Sequence, residues 1–241
     1  MDEDDKPTKL EKLSAQYGDL TVIRAIIQAI PYVGGPLDTL MSNGGQKWKM
    51  ERAEHFLTSL DEQMRMLATP PKLTDLVTSE ELYDLVHYSL EQAVKTRSSE
   101  KRSRFASIVR RQLAEALKWE ESEAAAHLLA DLSDTDIKIL DEIANAPVCG
   151  TPFDGLRVAE LELEKPIDDK IPCETFKPLN IFGAITGISQ HAIRMSCSDL
   201  VSRGLLKDEG VGRYGGVAMH FFVATDGAHW FLDWIKTDSK S

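Results

Sequence analysis

The sequence predicts a mainly α protein in which an N-terminal helical bundle precedes a second domain that contains a small β-hairpin. The chain has 241 residues, which exceeds the usual ~100–150 residues of one domain and favours two. Apolar residues recur at threes and fours through 46–119, as on a buried helix face, whereas 205–223 alternate like a hairpin. The predicted boundaries are a disordered acidic tail at 1–18, a helical bundle at 19–131, the second domain at 132–236 and a tail at 237–241.

Three long helices are predicted within the bundle. The first covers 46–67, where Trp48, Phe56 and Leu60 belong to one apolar face. The second follows Ser79, a residue type that caps helix N-termini. The third covers 98–119, and a shorter helix is predicted at 122–132.

The predicted helix at 98–119 contains a concentration of basic residues that invites an anion-binding interpretation. A helical-wheel projection of this segment places Phe105, Ile108 and Leu113 toward the core. Glu100 with Arg104, and Arg111 with Glu115, are spaced four apart and can form surface ion pairs. We favour a solvated, partly paired helix face and retain an anion-binding surface as the alternative.

Residues 20–41 are long and apolar enough to require a test for membrane insertion. Arg24 and Asp38 carry charge inside the stretch, and prolines and glycines interrupt any continuous helix. The interruptions are Pro31, Gly34, Gly35 and Pro36. We expect a helix–turn–helix element packed in the bundle, with a membrane-inserting hairpin as the alternative.

Composition narrows the classes of partner and compartment. A formal net charge of −11 opposes general affinity for DNA or anionic membranes, because lysine and arginine carry such binding. The three cysteines, Cys149, Cys173 and Cys197, show no paired CxxC spacing. The N-terminus lacks the basic-then-apolar layout of a signal peptide. We therefore expect a cytoplasmic protein.

The second domain contains an ordered series of local signals. Ser133 can cap a helix that begins at Asp134. Ser189 can cap a later helix whose expected core positions are Ala192, Ile193, Cys197, Leu200 and Val201. Gly204 can take the left-handed conformation that ends this helix, before Leu205 and Leu206 open a strand. The turn Thr225-Asp226-Gly227 then begins a closing amphipathic helix.

This order of signals resembles the winged helix-turn-helix family, in which a helix ends in Gly-Leu-Leu before a two-stranded wing. The resemblance covers about 132–236, and a long insertion at 146–178 departs from the family pattern. In DNA-binding members the second helix enters the major groove and the wing meets phosphates. The resemblance places those roles on Gln190, His191, Arg194 and Ser198 of the helix and on Lys207 and Arg213 of the wing.

Local charge gives this surface little capacity for DNA. The net charge of 181–225 is about +1, and that of 132–241 is about −6. Few phosphates could be neutralised, so a monomer would bind DNA weakly. Contact with a protein partner is therefore favoured over contact with DNA, although a homodimer would double the DNA contacts.

Neither an enzyme nor a cofactor is predicted. The chain contains no P-loop, dinucleotide-binding glycine pattern, HExxH or nucleophile elbow. Its six histidines share no ligand spacing with one another or with a cysteine, so no metal site is expected. We expect a non-catalytic interaction or adaptor protein. The alternatives are a dimeric DNA-binding regulator and a membrane-active bacterial effector of toxin or defence type, acting through the 20–41 hairpin.

Overall fold

A computed structural model describes residues 46–67, 80–115, 118–145, 158–160, 187–208, 211, 218–219 and 221–237. These residues are mainly helical with a small antiparallel sheet, which confirms the predicted fold class at that level. The predicted tail at 1–18, the 20–41 hairpin, Arg213 and most of the 146–178 insertion lie outside the described residues. The chain divides into a first unit, 1–131 with 234–241, and a second unit, 132–233.

Four helices form the described part of the first unit. They are α1 (Gln46–Arg65), α2 (Glu80–Lys95), α3 (Ser99–Glu115) and α4 (Trp119–Asp131). Helices α1, α2 and α3 pack against one another, and α4 packs on α2 and α3. Their apolar faces bury large side chains completely, including Phe56, Leu60, Phe105, Ile108 and Leu129, whereas Trp48, which was predicted on the buried face of α1, is 67% exposed. Burial of these side chains is the main force that holds the helices together.

The predicted helix at 98–119 is shorter than expected. Helix α3 ends at Glu115, and Trp119 is the first residue of α4 instead of the last of α3. Glu120 and Glu121 occupy the first turn of α4, where carboxylates favour the positive end of the helix dipole. Apolar periodicity runs on through this break, which is why it did not reveal the boundary.

A buried polar cluster joins α1 to α3 within this apolar core. Gln63 donates hydrogen bonds from Nε2 to Ser59 Oγ at 3.2 Å and to the Ser103 carbonyl at 3.1 Å. Ser107 Oγ donates to Gln63 Oε1 at 2.9 Å and also contacts the Ser103 carbonyl at 3.1 Å. Because buried polar groups are costly when unpaired, this cluster sets the register of α1 against α3.

The second unit combines three helices with the sheet. In chain order they are α5 (Asp134–Asn145), β1 (Val158–Glu160), α6 (Gln190–Ser202), β2 (Leu206–Asp208), β3 (Phe221–Ala224) and α7 (Asp226–Trp234). The sheet order is β1-β3-β2 with both pairs antiparallel. Strands β2 and β3 form the predicted hairpin, with Leu206 opposite Ala224 and Asp208 opposite Phe222.

Helix α5 begins with a reciprocal cap. Ser133 Oγ accepts a hydrogen bond from the Asp136 amide at 3.1 Å, and Asp136 Oδ2 accepts from the Ser133 amide at 2.7 Å. Ser133 Oγ also donates to Asp136 Oδ2 at 2.6 Å. This arrangement satisfies amide groups that a helix N-terminus otherwise leaves unpaired, and it confirms Ser133 as the predicted cap.

Helix α6 ends in a glycine turn that is hydrogen-bonded to Thr225, the residue that precedes α7. Gly204 has φ +73°, its amide donates to the Val201 carbonyl, and the Leu205 amide donates to the Leu200 carbonyl. Both bonds belong to the Schellman motif, which confirms the predicted left-handed glycine. Thr225 Oγ1 contacts the Gly204 carbonyl at 2.7 Å and accepts from the Ala228 amide at 3.2 Å. Thr225 thus connects the end of α6 to the start of α7.

Candidate functional site

Helix α6 carries four of the six residues that the sequence singled out, namely Gln190, His191, Arg194 and Ser198. Ser189 has extended backbone (φ −70°, ψ 149°) and caps the helix by accepting a hydrogen bond from the Ala192 amide at 3.3 Å. Ile193, Cys197 and Leu200 form a completely buried stripe on the opposite side. Contacts with α5 and β2 hold the helix in place. The side of α6 that faces solvent therefore belongs to a helix that its buried side holds in place.

Five of the six predicted site residues lie within the described part of the chain. His191 and Ser198 are exposed on α6, and Lys207 is exposed on β2. Gln190 and Arg194 on α6 are half-buried. Residues 191, 194 and 198 are spaced three and four apart, so these side chains share one side of the helix.

Two of the expected core positions on α6 do not face the core. Ala192 is exposed and Val201 is half-buried, whereas Ile193, Cys197 and Leu200 are buried as predicted. Successive residues of an α-helix are rotated by about 100°. Ala192 and Val201 therefore fall on the two flanks of a stripe centred on Cys197, and the buried face is narrower than we predicted.

Sequence reasoning missed Met195, which is 74% exposed in the middle of α6. It lies four residues after His191 and three before Ser198, so its side chain is next to both of them on the outward side of the helix. A signal was present, because Met195 is out of phase with Ile193, Cys197 and Leu200. The outward face, defined as His191, Arg194, Met195 and Ser198, thus presents an apolar side chain flanked by polar ones.

Charge on this face is sparse. Asp199 is already paired, since its Oδ2 lies 2.9 Å from Arg203 Nε. Arg194 Nε is shielded from solvent and has no hydrogen-bond acceptor. Among residues 187–208 the only charged side chains are Arg194, Arg203 and Lys207 against Asp199 and Asp208. The face is nearly neutral and contains one arginine whose hydrogen-bonding capacity is incompletely used.

The buried side of α6 offers no nucleophile. Burial, and secondarily the negative charge of Asp136, raises the pKa of the Cys197 thiol to about 12. A thiol with such a pKa stays protonated at neutral pH and neither attacks electrophiles nor binds metals readily. Within the described residues, no group of three histidine, cysteine or acidic side chains is arranged to hold a metal ion.

The basic helix α3 in the first unit is occupied by interactions of the bundle itself. The two predicted pairs form, with Arg104 to Glu100 at 2.6 Å and Arg111 to Glu115 at 3.2 Å. Lys101 Nζ donates to the Ala130 carbonyl at 2.9 Å. Arg102 is buried and donates to backbone carbonyls. These contacts favour the paired helix face over an anion-binding surface.

A cleft of about 490 Å³ opens between α1 and α3 of the first unit. Its lining is Glu51, Glu54, His55, Thr58, Ser59, Glu62 and Ser103. Burial, and secondarily the charge of Arg102, lowers the pKa of His55, while Glu62 acts in the opposite direction. The lining thus combines three carboxylates, one imidazole and three hydroxyl groups on the surface of the bundle, and we assign no reaction to this cleft.

Within the described ranges, no helix combines the length and apolar content needed to cross a membrane.

Comparisons with protein-family models, with curated proteins and with solved structures returned no match.

Proposed function

We propose that this chain is a non-catalytic interaction protein whose second unit is a winged-helix module that binds a protein partner through the outward face of α6. The order α5, β1, α6, β2, β3, α7 and the antiparallel sheet β1-β3-β2 support the winged-helix assignment. The Gly204 turn and its bond to Thr225 add to that support. The long insertion expected at 146–178, within which β1 lies, distinguishes this module from the usual family pattern.

The exposure of Met195 carries the proposal of a protein partner. A methionine that is 74% exposed leaves most of its apolar surface in water, and removal of that surface from water stabilises a complex. Methionine is flexible and is enriched at protein interfaces. Its neighbours His191 and Ser198 are exposed polar groups, which suits an apolar contact surrounded by a polar rim.

The electrostatics of the same face disfavour DNA as the main partner. Phosphate contacts supply most of the affinity of proteins for DNA, and each contact needs a cationic or polar donor. The described part of α6 and β2 has a near balance of positive and negative side chains. A dimeric DNA-binding regulator remains the competing function.

Site-specific photocrosslinking tests the proposal. A benzophenone amino acid is placed at Met195 in the full chain, and at His229, an exposed residue of α7 in the same unit, as the matched control. In native extract treated with nuclease, we expect a light-dependent protein adduct from position 195 that position 229 does not form. Adducts of equal yield at the two positions, or adducts to nucleic acid alone before nuclease treatment, would overturn the proposal.

A further inference from the structure

We infer that the partner presents an acidic side chain beside an apolar one, so that a carboxylate meets Arg194 while the apolar group covers Met195. This inference rests on the proposed function and specifies the chemistry of its partner. The expected occupant is an acidic amphipathic segment of another protein, read through two adjacent residues of α6.

Arg194 is the residue that points to a carboxylate. It is half-buried, and its Nε has neither solvent nor an acceptor. The two acidic residues nearest in sequence are already engaged. Asp199 pairs with Arg203 at 2.9 Å, and Asp208 Oδ2 accepts a hydrogen bond from the Met219 amide at 2.7 Å. Arg194 therefore remains the cation on α6 for which the described residues supply no counter-charge.

The position of Arg194 makes a carboxylate favourable. A guanidinium presents its donors in a planar fork that matches a carboxylate, and hydrogen bonds between charged groups are stronger than neutral ones. A partly buried arginine has already lost part of its hydration, so it gives up less when a partner covers it. Arginine is also enriched among the residues that dominate interface energies.

Met195 distinguishes a peptide carboxylate from a phosphate backbone. It immediately follows Arg194 and is 74% exposed. Because consecutive residues of an α-helix are rotated by about 100°, a complementary surface must contact both edges of the outward face, with a negative charge at Arg194 and an apolar group at Met195. An amphipathic peptide offers this combination along one face, whereas a phosphate backbone offers repeated charge without an apolar neighbour at that spacing.

Charge reversal combined with the crosslinker at position 195 tests the inference. Arg194→Glu should lower the yield of the protein adduct at least about tenfold, because it removes a charge-assisted hydrogen bond and places two like charges against each other. Arg194→Lys should retain an intermediate yield, since it keeps the charge without the fork. Lys138 is an exposed residue of α5, and Lys138→Glu makes the same change in net charge. This control variant should leave the yield unchanged.

The crosslinked peptide gives an independent readout. Mass spectrometry should place the adduct in a segment of the partner with net negative charge and an apolar residue at the crosslink. If Arg194→Glu does not fold by circular dichroism, Arg194→Gln removes the charge without adding a buried one and should lower the yield in the same direction.

The two proposals fail in different ways. An adduct that forms from position 195 and is unaffected by Arg194→Glu or Arg194→Gln, or that lies in a basic segment, overturns the acidic partner and leaves the proposed function standing. An adduct to a second copy of this chain overturns it as well, because the inferred occupant belongs to another protein. Absence of any adduct above the His229 control overturns the proposed function itself.

Discussion

Arginine residues in this protein occupy environments that their sequence neighbours do not distinguish. Arg102 is 8% exposed and donates from Nη1 to the carbonyls of Thr96 at 3.2 Å and Arg97 at 3.1 Å. Arg52 donates to the Val94 carbonyl at 3.0 Å in the same region. Arg52 thus binds a carbonyl in the last turn of α2, which the helix itself leaves unpaired, and Arg102 binds two carbonyls of the connection that follows α2. Arg194 lies on an outward face and lacks such acceptors.

We expect Arg102→Met to destabilise the protein by about 2 kcal/mol, because hydrogen bonds from a charged donor contribute about 1.5–3 kcal/mol. Methionine retains most of the apolar stem, so the loss reports on the hydrogen bonds. The matched control is Arg97→Met, which changes an exposed side chain in the connection between α2 and α3. For this variant we expect a change within about 0.5 kcal/mol. Urea unfolding measures both variants, and equal destabilisation of the two would contradict the role of Arg102.

Cys197 should resist alkylation in the folded protein. Its thiol is completely buried and has a pKa of about 12, so only about one molecule in 10,000 carries the reactive thiolate at pH 8. Iodoacetamide labelling followed by mass spectrometry of the peptide that contains Cys197 measures the rate. We expect a rate at least about a hundredfold below that in denaturant, and equal rates would show that the thiol is accessible.

The same residue also predicts the direction of a pH dependence. The folded-state pKa of Cys197 lies above its ordinary value of 9.0, so the unfolded chain releases this proton at lower pH than the folded chain. Its contribution to stability is therefore fully present below about pH 8.5 and declines as the pH rises toward 12. The urea concentration at the unfolding midpoint should be lower at pH 10 than at pH 8.

At the scale of secondary structure, local signals located helix starts and turns well. Ser133 and Ser189 cap the helices that the sequence assigned to them, and Gly204 takes the predicted left-handed conformation. Each of these interactions joins residues within a few positions of one another, so sequence carries the information. The break between α3 and α4 was missed because the apolar pattern of 98–119 does not change phase there.

Two glycines near the end of α6 provide an internal comparison of backbone strain. Gly204 has φ +73°, and a Cβ there would meet no atom within 4 Å. We expect Gly204→Ala to cost about 1 kcal/mol, because non-glycine residues disfavour the left-handed region whatever the space. Gly227 is in α7 without a positive φ, and its Cβ would lie 3.5 Å from Thr225 Oγ1, an ordinary contact.

For Gly227→Ala we therefore expect no loss of stability, and a gain of up to about 1 kcal/mol from helix propensity. Thermal unfolding of both variants measures the difference. If Gly227→Ala is the more destabilising of the two, packing at Thr225 and not the backbone conformation at Gly204 determines the stability of this turn.

At the scale of the whole molecule, net charge sets the expectation for nucleic acid. The chain carries a formal net charge of −11, and electrostatic repulsion between this charge and the phosphate backbone opposes non-specific association with DNA. We expect a fluorescein-labelled random duplex to show no saturable anisotropy change up to about 100 µM protein at 150 mM salt, the weak end of the Kd range of about 1–100 µM for non-specific DNA-binding proteins.

The competing DNA-binding function makes the opposite prediction for this titration. It requires salt-sensitive binding that the double variant Arg194→Ala, Arg213→Ala abolishes. Such binding would indicate that the outward face of α6 binds a DNA duplex and not a protein partner. Binding that persists in the double variant would contradict both functions at this face.

The sequence by itself determined the helical character of the bundle, the caps at Ser133 and Ser189, the glycine turn at Gly204 and the paired face of α3. All of these depend on side-chain period or on contacts within a few residues. The tertiary structure decided which polar groups are satisfied and which apolar groups remain exposed. Ser107 finds its acceptor on Gln63, 44 residues away, and Met195 is 74% exposed. Both depend on what packs against a helix face, and that information is distributed over residues far apart in the chain.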